Sequence, residues 1–344
     1  MHDGRITSLD MLRGLAVVLM VFGHCLVWGR YGEIWAPYGI MSGALTAVRM
    51  PILFIISGLL AASLREKNWT VVGRRIVNLC WVYAIWVSVI VLLGAVLEPD
   101  DGMSIGIVRL AAEFVRPQTV MWFIWSLALY SIILYVSREL PGRWIVAGAV
   151  GVSFAGYAIA LQPFSYENFF RYAGFFFVGA LCRDRVIAFV TGSFSWRLAG
   201  ILTGLLVLVH LAASPMEAAL GWKVLAVPER FVICAIILQA ACVLPMLSIS
   251  SLLCQLGRKT LPIYVGHLPI LLMARTMIPP LGAATDILVP LMLTVIVVAG
   301  SLAVERIAIA VGVPWFYARP QWINKGTARR IAGYLPIPGG SIAR

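Results

Sequence analysis

The sequence is dominated by apolar runs that are long enough to cross a lipid bilayer. A helix needs about 20 mostly apolar residues to span the hydrocarbon core. Ten such runs are separated by short segments that carry Pro, Gly and most of the charges, and they cover residues 11–29, 44–64, 74–97, 120–137, 144–161, 167–182, 197–213, 230–247, 260–274 and 287–309. We therefore predict an all-α polytopic membrane protein with about ten transmembrane helices, of which the ninth is short enough to be re-entrant.

The composition supports a membrane location. Hydrophobic residues make up 61% of the chain and charged residues only 12%, whereas soluble domains are about 25% charged. In a soluble protein the net charge of +12 would suggest a nucleic-acid partner. In a membrane protein, the positions of Lys and Arg mainly indicate how the chain is oriented across the bilayer. We expect the lipid bilayer as a partner and no nucleic acid.

The distribution of Lys and Arg predicts the topology. If the ten runs alternate in direction, about two thirds of these residues lie on one side, which the positive-inside rule assigns to the cytoplasm together with both termini. The outer side then receives Arg30, Arg49, Arg109, Arg116, Arg171, Lys223, Arg230 and Arg275. This predicts a multi-pass protein of the cell (inner or plasma) membrane. Residues 1–318 would form a ten-helix membrane domain and 319–344 a short basic cytoplasmic tail.

The first apolar run carries two unusual polar residues, Arg13 and His24, and Asp10 directly precedes it. Asp10 falls in the first helical turn, where the helix dipole favours a carboxylate. Arg13 and His24 are eleven residues apart, which places them within about 20° of one helix face and about 16 Å apart along the axis. Ionisable groups at such depth are expensive, so they are functional candidates. The alternatives are a snorkelling Arg13 and a His24 that only packs between helices.

Other polar residues are candidates for ligand binding. The loop before the third run holds Arg74 and Arg75, which could bind a phosphate-bearing ligand or act only as topology determinants beside anionic lipid. Tyr264 and His267 are three residues apart and therefore share a helix face. They could form a functional pair, or they could only pack in the core. On the outer side, a sugar could contact side chains that are otherwise interfacial anchors, namely Arg116, Trp122, Trp125 and Arg171.

Several kinds of site are missing from the sequence. It has no G-x-S-x-G, no Walker-type glycine loop, no metal-ligand spacing of His and Cys, and no paired carboxylates within an apolar run. These absences disfavour a hydrolase, an ATPase, a metalloenzyme and a proton pump. We expect no metal and no bound cofactor.

The order of the motifs resembles the membrane-bound acyltransferase 3 family. The opening RITSLDMLRGLAVVLMVFGH contains Arg, ten residues and His, and it is followed by MPILFIISGLL, the basic loop, MWFIWSLALY, RYAGFFFVGALC and LPIYVGHLPIL. The resemblance covers nearly the whole chain. The chain departs from the Arg-x-x-Arg pattern of many relatives, because Val77 and Asn78 stand where the second Arg would fall.

The resemblance implies an acyltransferase, most often an O-acetyltransferase, that uses acetyl-CoA as co-substrate and acts on hydroxyls of cell-surface carbohydrates. The phosphates of a cytoplasmic acyl-CoA would then lie near Arg13, Arg74 and Arg75. His24 would act as general base on the acceptor hydroxyl or as a nucleophile that carries the acyl group. Two other functions stay open: a transporter or flippase for a lipid-linked sugar, and succinyl or N-acetyl transfer to a periplasmic glycan.

Overall fold

The chain folds into a bundle of α-helices. The structure, a computed structural model, describes residues 6–28, 36–97, 107–159, 161–277 and 288–320. The described residues form no β-strand and contain thirteen α-helices: α1 Thr7–Trp28, α2 Ala36–Ala61, α3 Trp69–Leu97, α4 Ile107–Val115, α5 Trp122–Val136, α6 Gly142–Ala158, α7 Phe164–Leu181, α8 Arg183–Thr191, α9 Trp196–Leu220, α10 Ala226–Ala240, α11 Ser250–Arg258, α12 Thr260–Met277 and α13 Val289–Ala310.

Each of the ten apolar runs overlaps one of these helices. Among the described residues, six helical segments are long and apolar enough to cross a membrane: α1, α2, α3, α9, α13, and α10 together with the 3-10 helix Ala241–Met246 that continues it. The helices α5 and α6 are shorter, with 15 and 17 residues, and the apolar part of α12 is Thr260–Ala274. The prediction of an all-α, multi-pass membrane protein is therefore confirmed. Ten spans and cytoplasmic termini stay predictions, and most of the tail, from residue 321 onward, lies outside the described residues.

Helix α1 lies at the centre of the bundle, where it packs against α2, α11, α12 and α13. Of its most apolar window, 72% is buried, whereas none of the corresponding window of α9 is buried. Glycines allow the closest approach. A Cβ on Gly14 would overlap the carbonyl oxygen of Leu253, and a Cβ on Gly257 would overlap that of Asp10. The backbones of α1 and α11 therefore touch, as small residues permit at helix interfaces in membranes.

Aromatic side chains hold α2, α5 and α7 together. The Phe54 ring stacks on Tyr172 at 5.3 Å between centroids and meets Tyr130 edge-on at 5.7 Å. Phe54 and Tyr130 are fully buried, and Tyr130 donates a hydrogen bond to the carbonyl of Phe169. Such rings bury large apolar areas in fixed geometry. This core fixes α2 relative to its neighbours and so positions the polar residues that α2 carries.

The segment that follows α13 packs back onto α3. The indole N–H of Trp86 donates to the carbonyl of Phe316 at 2.8 Å, and that of Trp81 donates to Trp315 at 2.7 Å. The side chain of Asn78 accepts the backbone N–H of Arg319 at 3.1 Å. Asn78 therefore binds the backbone of the segment that follows α13.

Candidate functional site

The N-terminal end of α1 carries a polar cluster that ties α1 to the start of α12. Arg13 Nη1 lies 3.4 Å from Asp10 Oδ1, and Arg13 Nη2 donates to the hydroxyl of Thr260 at 3.0 Å. The other Asp10 oxygen lies 3.6 Å from Arg258 Nε, while the Asp10 side chain itself is buried. Arg13 is thus held inside the bundle by groups on two helices, whereas a snorkelling side chain would reach outward from the bundle.

A narrow cavity opens between Arg13 and the middle of the bundle. Its volume is about 180 Å³, and its polar lining includes Arg13, Arg75, Thr260 and Tyr264. This is smaller than the roughly 300–1,000 Å³ of typical ligand pockets. The cavity therefore fits a slender part of a ligand, and two guanidinium groups on its wall favour an anionic or strongly polar one.

The prediction that Arg74 and Arg75 lie in a loop is wrong, because both lie in the first turns of α3, where they occupy different environments. Arg75 lines the cavity, and its Nε is buried with no hydrogen-bond partner among the described residues. Arg74 is exposed. Successive residues differ by about 100° around a helix, so α3 directs only one of them into the bundle. The structure thus separates two residues that the sequence analysis treated together.

His24 and His267 meet deeper in the bundle. Their ring centroids are 5.0 Å apart, with 35° between the ring planes. The Nδ1 of His267 contacts the carbonyl oxygen of Tyr264. Because that oxygen can only accept, Nδ1 carries the proton and the Nε2 of a neutral ring is left as an acceptor. This Nε2 is buried with no partner among the described residues.

Tyr264 connects the cavity to the histidine pair. It lines the cavity, and its carbonyl orients His267. Its phenol donates a hydrogen bond to the carbonyl of Val120, which fixes the ring. The candidate residues Arg13, Tyr264, His267 and His24 therefore follow one another from the end of α1 to its C-terminal half.

Sequence analysis missed Arg49, which it had assigned to the outer side. The structure places Arg49 within α2, and a Cβ on Gly23 would overlap its guanidinium group. Its side of the membrane stays a prediction, but the sequence analysis counted Arg49 only as a topology charge and did not consider it for the site. A signal was available, because Arg49 lies within the apolar run 44–64 and a charged residue in such a run is costly unless it has a function.

The remaining candidates do not converge on this site. Arg171 forms an ion pair with Glu167 and donates from Nε to the carbonyl of Gly156 at 3.0 Å. Its guanidinium carbon lies 4.7 Å from the ring centroid of Tyr157. Arg171 thereby joins α6 to α7.

Two further candidates on the predicted outer side have different surroundings. Trp122 is buried and stacks on Tyr172 at 5.9 Å between centroids, while Arg116 is exposed just beyond α4. Neither is paired with the other. Among the described residues, no group of three or more His, Cys, Asp and Glu side chains is placed to hold a metal ion.

Comparison with known proteins gives the family. The curated nodulation protein NolL of Sinorhizobium fredii (strain NBRC 101917 / NGR234) is 26% identical over 171 residues, which are 47% of this chain and 45% of NolL. The chain thus matches less than half the length of that relative. No solved structure matches. The family model described as an acyltransferase domain matches residues 6–306, which includes every helix of the site. The chain therefore belongs to the acyltransferase 3 family.

Proposed function

We propose that this protein transfers an acyl group, in the first instance acetyl, from cytoplasmic acyl-CoA to a hydroxyl of an extracytoplasmic carbohydrate. The carbohydrate would be a surface polysaccharide, an exopolysaccharide or a glycolipid, and the protein would lie in the inner or plasma membrane. The observation that carries the proposal is the order of three features between α1 and α12: Arg13, then the cavity, then the contact of His24 on α1 with His267 on α12. Family membership supports acyl transfer.

The donor would enter from the end of α1 that carries Arg13. Arg13 and Arg75 would bind the phosphates or other polar groups of the acyl-CoA, because guanidinium groups form charge-assisted hydrogen bonds with phosphate oxygens. Arg74 would add to the positive potential outside the cavity. The thin pantetheine arm would extend through the cavity, past Tyr264, and bring its thioester to His24.

His24 would then supply the proton chemistry. As general base, it takes the proton of the acceptor hydroxyl while the hydroxyl oxygen attacks the thioester carbonyl carbon. A C–O bond forms, the C–S bond breaks, and the proton passes from His24 to the departing thiolate. In the other route the imidazole attacks first and carries the acyl group to the hydroxyl. Both routes need a neutral imidazole, which an apolar environment favours.

An acyl-transfer assay on membranes that contain the protein tests the function. Membranes are incubated with acetyl-CoA radiolabelled in the acetyl group, and label is followed into the carbohydrate fraction. We expect label that depends on the protein and is released by mild base, as an ester is. Succinyl-CoA labelled in the acyl group is the parallel donor. Preferred label from succinyl-CoA would replace acetyl by succinyl, and base-stable label would indicate N-acetylation. Protein-dependent sugar transport with no covalent label from either donor would refute acyl transfer in favour of a flippase.

A further inference from the structure

Arg49 is half-buried on α2, and two nitrogens of its guanidinium group have no hydrogen-bond partner in the described part of the chain. Both its Nε and its Nη1 are buried and lack an acceptor there. The next residues along α2, Met50, Ile52 and Phe54, are buried apolar side chains. A buried N–H donor with no acceptor costs free energy, because it has lost its hydrogen bonds to water without replacing them. Buried guanidinium donors of this kind indicate a bound group that the protein itself does not supply.

The position of Arg49 is set by the glycine that precedes His24. Because Gly23 has no side chain, the guanidinium group of Arg49 occupies the space where a Cβ would lie. His24 is the next residue along α1, and its ring centroid lies 5.0 Å from that of His267. The free N–H groups of Arg49 therefore lie beside the histidine pair, where the acyl group arrives in the proposed function.

Arg49, His24 and His267 together offer the hydrogen-bond donors and acceptors that an acyl-transfer transition state needs. His24 or the free Nε2 of His267 can accept a proton, whereas Arg49 can only donate. Attack of a hydroxyl on a thioester carbonyl needs both properties, because a proton leaves the hydroxyl while negative charge develops on the carbonyl oxygen. Pre-positioned donors aimed at that oxygen act strongly in a site that excludes water.

We infer that Arg49 is a catalytic residue that binds the carbonyl oxygen of the acyl group and stabilises the oxyanion formed next to His24. This inference rests on the proposed function. The hydroxyl oxygen bonds to the carbonyl carbon, and the oxyanion forms against the Arg49 N–H groups. It then collapses as the C–S bond breaks and the thiolate takes the proton that His24 received. The charge of Arg49 does not change during the cycle.

The test compares Arg49→Gln, Arg49→Lys and Gly23→Ala with wild type, using purified full-length protein and the acetyl-transfer assay. Removal of an oxyanion donor typically lowers kcat about 100- to 1,000-fold. We expect that loss in Arg49→Gln with little change in KM for acyl-CoA, as for an interaction made only in the transition state. Arg49→Lys should keep part of the rate, because one ammonium group replaces the planar set of donors.

Gly23→Ala is the more specific variant, because it leaves Arg49 in place and only displaces its guanidinium group. The displaced atoms are the flexible end of a side chain, so the fold should persist. The control is Gly43→Ala on α2, where an added Cβ meets nothing within 4 Å. We expect a lowered kcat for Gly23→Ala and a wild-type kcat for Gly43→Ala. A wild-type kcat in folded Arg49→Gln or in Gly23→Ala would overturn the role of Arg49, whereas wild-type protein that transfers no acyl group would refute the proposed function itself.

Discussion

Arg75 and Arg74 provide a matched pair of neighbours for testing where the donor binds. The prediction is that Arg75→Gln weakens acyl-CoA binding far more than Arg74→Gln does. Arg75 lines the cavity that it shares with Arg13 and Tyr264, and its Nε is free to donate. Arg74 is exposed on α3. Both substitutions remove one positive charge from neighbouring positions of α3, so the difference between the two variants measures the effect of position.

The expected magnitudes follow from these environments. A hydrogen bond to a charged group contributes about 1.5–3 kcal/mol, and about 1.4 kcal/mol corresponds to a tenfold change in affinity. Loss of Arg75 should therefore raise the Kd for acyl-CoA roughly 10- to 100-fold. An exposed charge contributes at most about 1 kcal/mol and is screened by salt. Loss of Arg74 should raise the Kd less than about fivefold, and the increase should shrink as salt is added.

The assay is equilibrium binding of acyl-CoA to purified protein, with the salt concentration varied from low to physiological. Thermal stability and membrane insertion of both variants are measured in parallel, so that a folding defect is not read as lost affinity. Equal losses in the two variants, or a larger loss in Arg74→Gln, would refute the placement of the donor in the cavity. Such a result would indicate that the positive charges at the start of α3 attract acyl-CoA without a specific contact in the cavity.

Three further predictions concern the fold. Gly257→Ala should destabilise the protein by several kcal/mol or prevent folding, because the added Cβ would overlap the backbone of Asp10. The control is Gly148→Ala, where an added Cβ meets nothing within 4 Å, and this variant should match wild type in thermal unfolding. Lys259→Met should lower the free energy of unfolding by about 1–3 kcal/mol, because it leaves the buried carboxylate of Glu305 without the ammonium group 2.8 Å away. Glu305→Gln should cost less, since half-exposed Lys259 keeps contact with water, and a larger loss in Glu305→Gln would contradict this asymmetry. Trp86→Phe should cost about 1 kcal/mol and make the segment after α13 more sensitive to protease, because it removes the hydrogen bond to Phe316; unchanged cleavage would show that this bond does not hold the segment.

The sequence predicts the helices well because apolarity is a local property. Each apolar run overlaps a helix, and Arg13 and His24 lie on α1 as predicted. The number of crossings is harder to predict, since helices such as α5 are shorter than a bilayer span. The length of such a helix depends on how it packs against other helices of the bundle, and its own sequence segment does not specify those contacts.

The site depends on contacts between helices, and these could be predicted only in part. The sequence singled out Arg13, His24 and His267, because ionisable residues are costly in apolar runs. It did not indicate that Thr260 binds Arg13 or that His267 faces His24. Arg49 was missed because its position beside Gly23 depends on how α2 packs against α1.

The central claim is that His24 catalyses acyl transfer to a carbohydrate. Mass spectrometry of the surface polysaccharide tests this claim most directly. Cells that produce wild-type protein, His24→Ala or His210→Ala are compared at equal amounts of protein in the membrane. His210 is a matched control, since its side chain is 75% exposed on α9 and contacts Glu229, which is not one of the candidate site residues. We predict that the polysaccharide loses the mass of its acetyl groups in His24→Ala and keeps it in His210→Ala. Full acetylation in the His24→Ala cells would contradict the account.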